Sequence, residues 1–273
     1  VLAIWFILLF AVVMAAPAAA LDLGQRVEIP LSNGSLLPAY CFLPSHGVRQ
    51  PVPGVVVGVG VGGQKFIQYQ LHCRWLADRG FAVVLIDPSN YPEALTPGPY
   101  TWDKFPGVLW ADANQVVVGA KLFVGLEWYL ESIRATVNYL CSTPIVDPTR
   151  IVISGFSQPA NAALTYACRD PRVKAVVWNY GGWPWIMPYD PQRIPPVLIF
   201  HGTEDKVYDV KYALELEANL RSAGRDCEAY IYPGQDHMFT VYFDPRTEEP
   251  FEKPVIRDSF ERLVSFLYRK LYH

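Results

Sequence analysis

The sequence predicts an α/β fold: a mainly parallel central sheet flanked by helices, with an antiparallel hairpin on its N-terminal side. Three observations carry this expectation. Short β-branched runs alternate with longer helical stretches over most of the length. Several of those runs are apolar throughout, as in strands covered on both faces. The polar residues of chemical interest fall just after predicted strands, at the edge of a parallel sheet where ligands bind. With 273 residues, 51% hydrophobic and 14% aromatic, the chain has ample apolar material for one core. Its charges are well mixed, with a formal net of -3 and no basic run. That excludes a nucleic-acid surface and points to small, weakly charged partners.

Taken in order, residues 1–14 are almost wholly apolar and run into Ala15-Ala16-Pro17-Ala18-Ala19-Ala20, the small-residue pattern of a signal-peptidase site. The expectation is a signal peptide over 1–20 and a secreted or periplasmic domain over 21–273. The alternative, an uncleaved N-terminal anchor and the sole route to a membrane, falls short of the ~20 apolar residues that span a bilayer. Segments 26–29 and 37–43 flank the turn Ser32-Asn33-Gly34-Ser35 and predict the hairpin. Segment 55–59 reads as a buried strand ending in a glycine cluster, 65–79 as a helix stopped by Gly80, and 81–86 as a strand closed by Asp87-Pro88. Residues 89–125, rich in proline, glycine and aromatics, read as an irregular insertion over the carboxyl end of the sheet. An amphipathic helix over 126–140 carries Glu127, Glu131 and Arg134 on its polar side. There follow a strand at 150–154, a helix at 159–167, strands at 173–178 and 196–201, a helix at 209–222, a strand at 228–232 and a closing helix at 254–271.

The five cysteines, Cys41, Cys73, Cys141, Cys168 and Cys227, are widely spaced, without a CxxC pair or a metal-ligand spacing. No metal site is expected. One or two disulfides and buried free thiols both remain open.

The chemistry gathers around three segments. Ile153-Ser154-Gly155-Phe156-Ser157-Gln158-Pro159 passes from strand to helix through Gly-x-Ser-x-Pro. In that context Gly155 permits a sharp turn, Ser157 stands at its tip, and the Gln158 N–H points to the same place as the helix begins. A serine at a helix start is more often an N-cap, so the motif gains weight only from its companions. His201-Gly202-Thr203-Glu204-Asp205 sets an acid after a strand, and Tyr232-Pro233-Gly234-Gln235-Asp236-His237 sets a histidine after the next. His237 is then the base for Ser157, and Asp205 fixes the histidine tautomer, with Glu204, Asp209 and Asp236 as other candidate acids. Gly58-Val59-Gly60-Val61-Gly62-Gly63 lets backbone approach a ligand closely, and the N–H groups of Val61 and Gln158 are the expected oxyanion donors. A nucleotide site is not indicated, because neither Gly-x-Gly-x-x-Gly nor a Gly-Lys-Ser/Thr ending is present.

These residues resemble the dienelactone hydrolase and acetyl xylan esterase branches of the α/β-hydrolase superfamily. The resemblance runs from Val146-Asp147-Pro148-Thr149-Arg150 through Gly155-Phe156-Ser157-Gln158 to Arg169-Asp170-Pro171-Arg172, and extends to His201-Gly202 with Asp205 and Tyr232-Pro233-Gly234 with His237. It implies the α/β-hydrolase fold and a serine-dependent hydrolase of esters or lactones that needs no metal or organic cofactor. The chain departs from the family pattern at Pro159, where glycine is usual, and at Val59-Gly60, where His-Gly is common. A proline at 159 biases Gln158 away from the α region and is expected to re-aim the elbow slightly.

Trp178-Asn179-Tyr180-Gly181-Gly182-Trp183-Pro184-Trp185 follows a strand. Gly62, Tyr180, Trp183 and Trp185, with Trp102 and Trp110 of the insertion, are candidate pocket residues for a small-molecule or polymer ester. Packing in core or lid is the alternative for each tryptophan. Three functions stay in view: a serine esterase, a small serine peptidase, and a non-catalytic binding protein on the same fold.

Overall fold

The computed structural model describes residues 24–45, 49–60, 67–86, 115–182, 189–241 and 253–272, with 115–126 as helical backbone only. The expected signal peptide, Val61 and Gly62, Trp102 and Trp110, and Trp183 and Trp185 lie outside the residues described with side chains.

The hairpin forms as predicted. β1 (Gln25–Pro30) pairs antiparallel with β2 (Leu36–Phe42), and the turn between them closes with Gly34 at φ 84° and the Asn33 carbonyl oxygen Oδ1 accepting the Ser35 N–H at 3.0 Å. β2 continues antiparallel beside β4 (Ala82–Ile86). From there β3 (Val52–Gly58), β5 (Val146–Phe156), β6 (Val173–Asn179), β7 (Val197–Gly202) and β8 (Cys227–Tyr232) follow, each parallel to its neighbour. The order β1-β2-β4-β3-β5-β6-β7-β8 reverses direction of growth at β3, so a crevice opens outside the carboxyl ends of β3 and β5.

Alternating side chains explain why β3 and β4 are apolar at every position. Val56, Val84, Ile153, Val176 and Ile199 face one core, covered by α2 (Gln115–Ser142), α3 (Gln158–Ala167) and α4 (Lys211–Ser222). Val55, Val57, Leu85, Val152, Val177 and Leu198 face the other, covered by α1 (Ile67–Asp78) and α5 (Pro254–Leu271). Burying one such side chain stabilises by about 1.5–3 kcal/mol, which is why neither face of a central strand carries a polar residue without a task.

Three elements start three or more residues earlier than the sequence predicts: β3 at Val52 rather than 55, α2 and β5. α2 begins at Gln115 rather than at 126. Its first turns, Gln115 to Gly125, hold four valines and two glycines, poor helix formers without an amphipathic period, so the stretch reads as irregular. β5 begins at Val146, ahead of Asp147 and Pro148, which are both disfavoured in strands. Asp147 Oδ1 accepts the Thr149 N–H at 2.9 Å and its hydroxyl at 2.6 Å, and the register with β3 shifts between Val52 and Gly54. All five cysteines are free thiols. Burial raises their pKa values, that of Cys73 far above the usual thiol range.

Candidate active site

Ser157 stands between β5 and α3 with φ 64° and ψ -132°, a conformation side chains rarely adopt. Its N–H donates to the Asn179 carbonyl at 2.9 Å, and the Asn179 amide donates to the Gly155 carbonyl at 2.9 Å. The next strand thereby pins the turn. Gly155 is obligatory: a Cβ there would fall 2.4 Å from Ala160 Cα and 2.5 Å from the Pro159 carbonyl oxygen, both backbone atoms. Ser157 makes no side-chain cap hydrogen bond to α3, so its hydroxyl is not spent as an N-cap. α3 starts at Gln158 with Pro159 in its first turn, where proline's missing N–H costs nothing. The expected re-aiming by Pro159 is therefore small, since Gln158 is already helical. As the first helical residue, its N–H has no acceptor within the helix.

Asp205 follows β7, and its side chain has no solvent exposure. Oδ1 accepts the N–H groups of Val207 and Tyr208 at 2.8 and 2.9 Å. Oδ2 lies 2.7 Å from His237 Nδ1. His237, after β8, places Nε2 at 3.1 Å from Ser157 Oγ. The carboxylate can only accept, so Nδ1 carries the proton and the Nε2 lone pair faces the serine hydroxyl. Serine, histidine and aspartate, far apart in sequence, thus meet at one end of the sheet. The other acids serve elsewhere. Asp236 Oδ1 accepts the N–H groups of Lys206 and His237, Asp209 Oδ1 accepts that of Lys211, and Glu204 is exposed.

Three further residues build the site. His201 is fully buried, with Nε2 2.9 Å from the Tyr208 carbonyl oxygen and 3.4 Å from Asp205 Oδ2. A carbonyl only accepts, so Nε2 bears the proton; burial lowers the pKa and keeps the ring neutral. Tyr180, expected to line a pocket, is instead fully buried. Its ring meets His237 edge-on at 4.7 Å, and its hydroxyl accepts from Thr240 at 3.3 Å, so it backs the imidazole. Tyr208 also meets His237 edge-on, at 5.8 Å. The segment after β6 is drawn in by Asn161, which donates to the Gly182 carbonyl and accepts from Trp178 Nε1 at 2.8 Å. Short loops at the ends of β7 and β8 close equally tightly, because a Cβ on Gly202 would fall 2.1 Å from the Gln235 carbonyl oxygen. The sequence assigns no role to Asn179, His201 or Tyr208, although His201-Gly202 belongs to the family resemblance; the available signal was position, Asn179 and His201 lying at strand ends and Tyr208 in the loop after β7.

Comparison with known proteins bears on the fold and the family. A protein of Methylorubrum extorquens, provisionally named a carboxymethylenebutenolidase, is 27% identical over 232 residues, 82% of this chain and 74% of its own. Among solved structures, a dienelactone hydrolase-like promiscuous phosphotriesterase from metagenomic libraries superposes with a TM-score of 0.64 at 18% identity, covering 90% of this chain and 98% of that one. Thermogutta terrifontis esterase 2 superposes with a TM-score of 0.61 at 16% identity, covering 90% and 94%. These two likenesses establish the fold. The model of the dienelactone hydrolase family matches residues 37–271, which takes in every strand from β2 onward together with Ser157, Asp205 and His237. By that match the chain belongs to the dienelactone hydrolase family.

Proposed function

We propose that this protein is a serine-dependent hydrolase of carboxylic esters or lactones, acting through Ser157, His237 and Asp205. The single observation that carries the reading is the continuous chain of contacts from Asp205 Oδ2 through His237 to Ser157 Oγ, at 2.7 and 3.1 Å. In acylation, Ser157 Oγ attacks the ester carbonyl carbon and its proton passes to His237 Nε2. The bond to the alcohol oxygen then breaks, and that oxygen takes the proton from Nε2 as it leaves. Water repeats the sequence on the acyl-enzyme and restores the serine. Asp205 steadies the imidazolium through a buried carboxylate held in place by the N–H groups of Val207 and Tyr208. The N–H of Gln158, at the start of α3, donates to the oxyanion, with Val61 N–H as its partner. In the same proposal segment 1–20 exports a single domain over 21–273.

The test is covalent. A fluorophosphonate is expected to label Ser157, located by peptide mapping, while short nitrophenyl esters are hydrolysed. Ser157→Ala is expected to lose all labelling and to lower ester turnover by roughly 10³-fold or more. Labelling at another residue, or undiminished turnover in the variant, would exclude this mechanism.

A further inference from the structure

The proposed catalytic residues lie past the carboxyl ends of the strands, and the opposite edge of the sheet holds a cavity that they do not use. It measures about 480 Å³, within the range of small-molecule sites. It is lined from the end of α3, from the first residues of β6 and from the segments that lead into β7 and β8. β6 is 7 residues long, so a strand length of roughly 20 Å separates the cavity from the loops that carry Ser157, Asp205 and His237.

The walls are of two kinds. Ala167, Pro171, Val173, Pro195 and Pro196 supply apolar surface, while Lys174, Arg193 and Arg225 supply positive charge. Asp170, the one carboxylate among the described lining residues, is already spent: Arg172 Nη2 and the Tyr166 hydroxyl each donate to its Oδ2 at 2.6 Å. Elsewhere on the chain cations commonly face an acid, as Arg134 faces Glu131 at 2.6 Å and Arg262 faces Asp258 at 2.7 Å. None of the three lining cations forms an ion pair among the described residues. Lys174 Nζ donates to the Pro171 carbonyl at 2.8 Å and Arg225 Nε to the Ile194 carbonyl at 3.1 Å, whereas the Arg193 guanidinium has no partner among the described residues. A carbonyl accepts a proton but carries no net charge, so three positive charges stay uncompensated around one cavity. Cations near a helix carboxyl end can serve the helix dipole, but these two donate to loop carbonyls and not to the last carbonyls of α3 or α4. The frame is also fixed in advance. Two successive prolines enter β7, the Val176 N–H donates to the Pro196 carbonyl at 2.9 Å, and the Arg193 N–H donates to the Asp190 carbonyl at 3.0 Å.

We propose that this cavity is a second binding site, for a small organic anion: a carboxylate carried on an apolar, aromatic or branched body. Exposed Lys174 and Arg193 attract the carboxylate, and half-buried Arg225, anchored to Ile194, gives it a donor of fixed orientation. Val173 and the prolines take the hydrocarbon body. An inorganic oxyanion leaves that apolar surface unused, and an uncharged ligand leaves three cations unpaired. The site acts at the far edge of the sheet and does not depend on Ser157.

The experiment titrates the full chain with 2-naphthoate, followed by its fluorescence, beside 2-naphthamide and inorganic phosphate followed by calorimetry. Naphthoate is expected to saturate one site, with the amide and phosphate each weaker by roughly tenfold or more, because each lacks one half of what the walls recognise. The double variant Lys174→Gln with Arg193→Gln is expected to bind naphthoate at least about tenfold more weakly at an unchanged urea midpoint, since both side chains are exposed. Prior treatment with fluorophosphonate is expected to leave the affinity unchanged. Absence of saturable binding, equal affinity for the amide or for phosphate, undiminished affinity in the double variant, or loss of binding after fluorophosphonate treatment would each overturn the proposal.

Discussion

At the scale of single residues, the backbone marks the site. Among the described residues three other than glycine have φ in the left-handed region, Ser157 at 64°, Tyr180 at 37° and Met238 at 65°. One is the proposed nucleophile, one backs the proposed base, and one follows that base in sequence. Each such conformation costs on the order of 1–3 kcal/mol and persists only where neighbours hold it. Ser157 and Tyr180 are held by N–H donation to the Asn179 and Phe200 carbonyls, at 2.9 and 2.7 Å. His201 plays the same part for the acid loop. His201→Ala removes the donor to the Tyr208 carbonyl and opens a void against Trp178, on which the imidazole stacks at 5.8 Å. We expect a stability loss of roughly 2–4 kcal/mol in urea denaturation and a fall in kcat larger than any rise in KM. An unchanged kcat would show that the acid loop holds its shape without the histidine. Ser157, Asp205 and His237 were legible because each follows a strand and their order fits the chemistry. The roles of Asn179, His201 and Tyr208 were not, even with His201 inside a family motif, because what they do is a contact across the chain rather than a local pattern.

At the scale of elements, the unit that matters is β5, Ser157 and α3. Its strand and helix are both legible from apolar runs, and the glycine that lets them meet is legible from the motif. What the local pattern could not weigh was Pro159. Read alone it biases Gln158 away from the helix, yet in the fold the first turn of α3 needs no N–H from residue 159, and a Cβ on Gly58 would only touch the proline ring at 3.4 Å. Pro159→Gly is accordingly expected to leave ester turnover within about threefold. Because glycine widens the unfolded ensemble, it should lower stability by about 1 kcal/mol, seen as a reduced urea midpoint at constant m-value. A large gain in turnover would mean that the proline does distort the elbow. The early start of α2 is the opposite case. There the local composition argues against helix, yet the helix runs on from Gln115 into the stretch beyond Trp128 whose apolar residues pack on the sheet, a continuity that no short window of sequence contains.

At the scale of the whole molecule, the histidines buried against the sheet govern the response to acid. The face under α1 and α5 carries His72, 3% exposed, whose ring nitrogens have no hydrogen-bond partner among the described residues. Its ring is wedged edge-on between Phe156 of β5 and Phe260 of α5, each at 5.4 Å. Burial lowers its pKa from 6.5 to about 4. Above pH 6.5 the imidazole is neutral whether folded or unfolded, and it adds no pH dependence. As pH falls from 6.5 toward 4 the unfolded chain takes up a proton that the folded chain refuses, so stability is lost across that window and levels off below it. The loss at pH 5 relative to pH 7.5 comes to about 2 kcal/mol from this residue. His201, also lowered by burial, acts in the same direction. The depressed carboxylates of Asp170 and Asp258 respond only further down, because their unfolded values already lie near 3.8. Urea denaturation at the two pH values should therefore show a steeper loss in the parent than in His72→Leu, with the variant at least as stable at pH 7.5 because it buries no unpaired nitrogen. An identical pH response in parent and variant would move the acid sensitivity off this face. Since Phe156 immediately precedes Ser157, charging His72 loosens the strand end that holds the proposed nucleophile. Activity should then fall in acid together with the structural signal in parent, and persist to lower pH in His72→Leu.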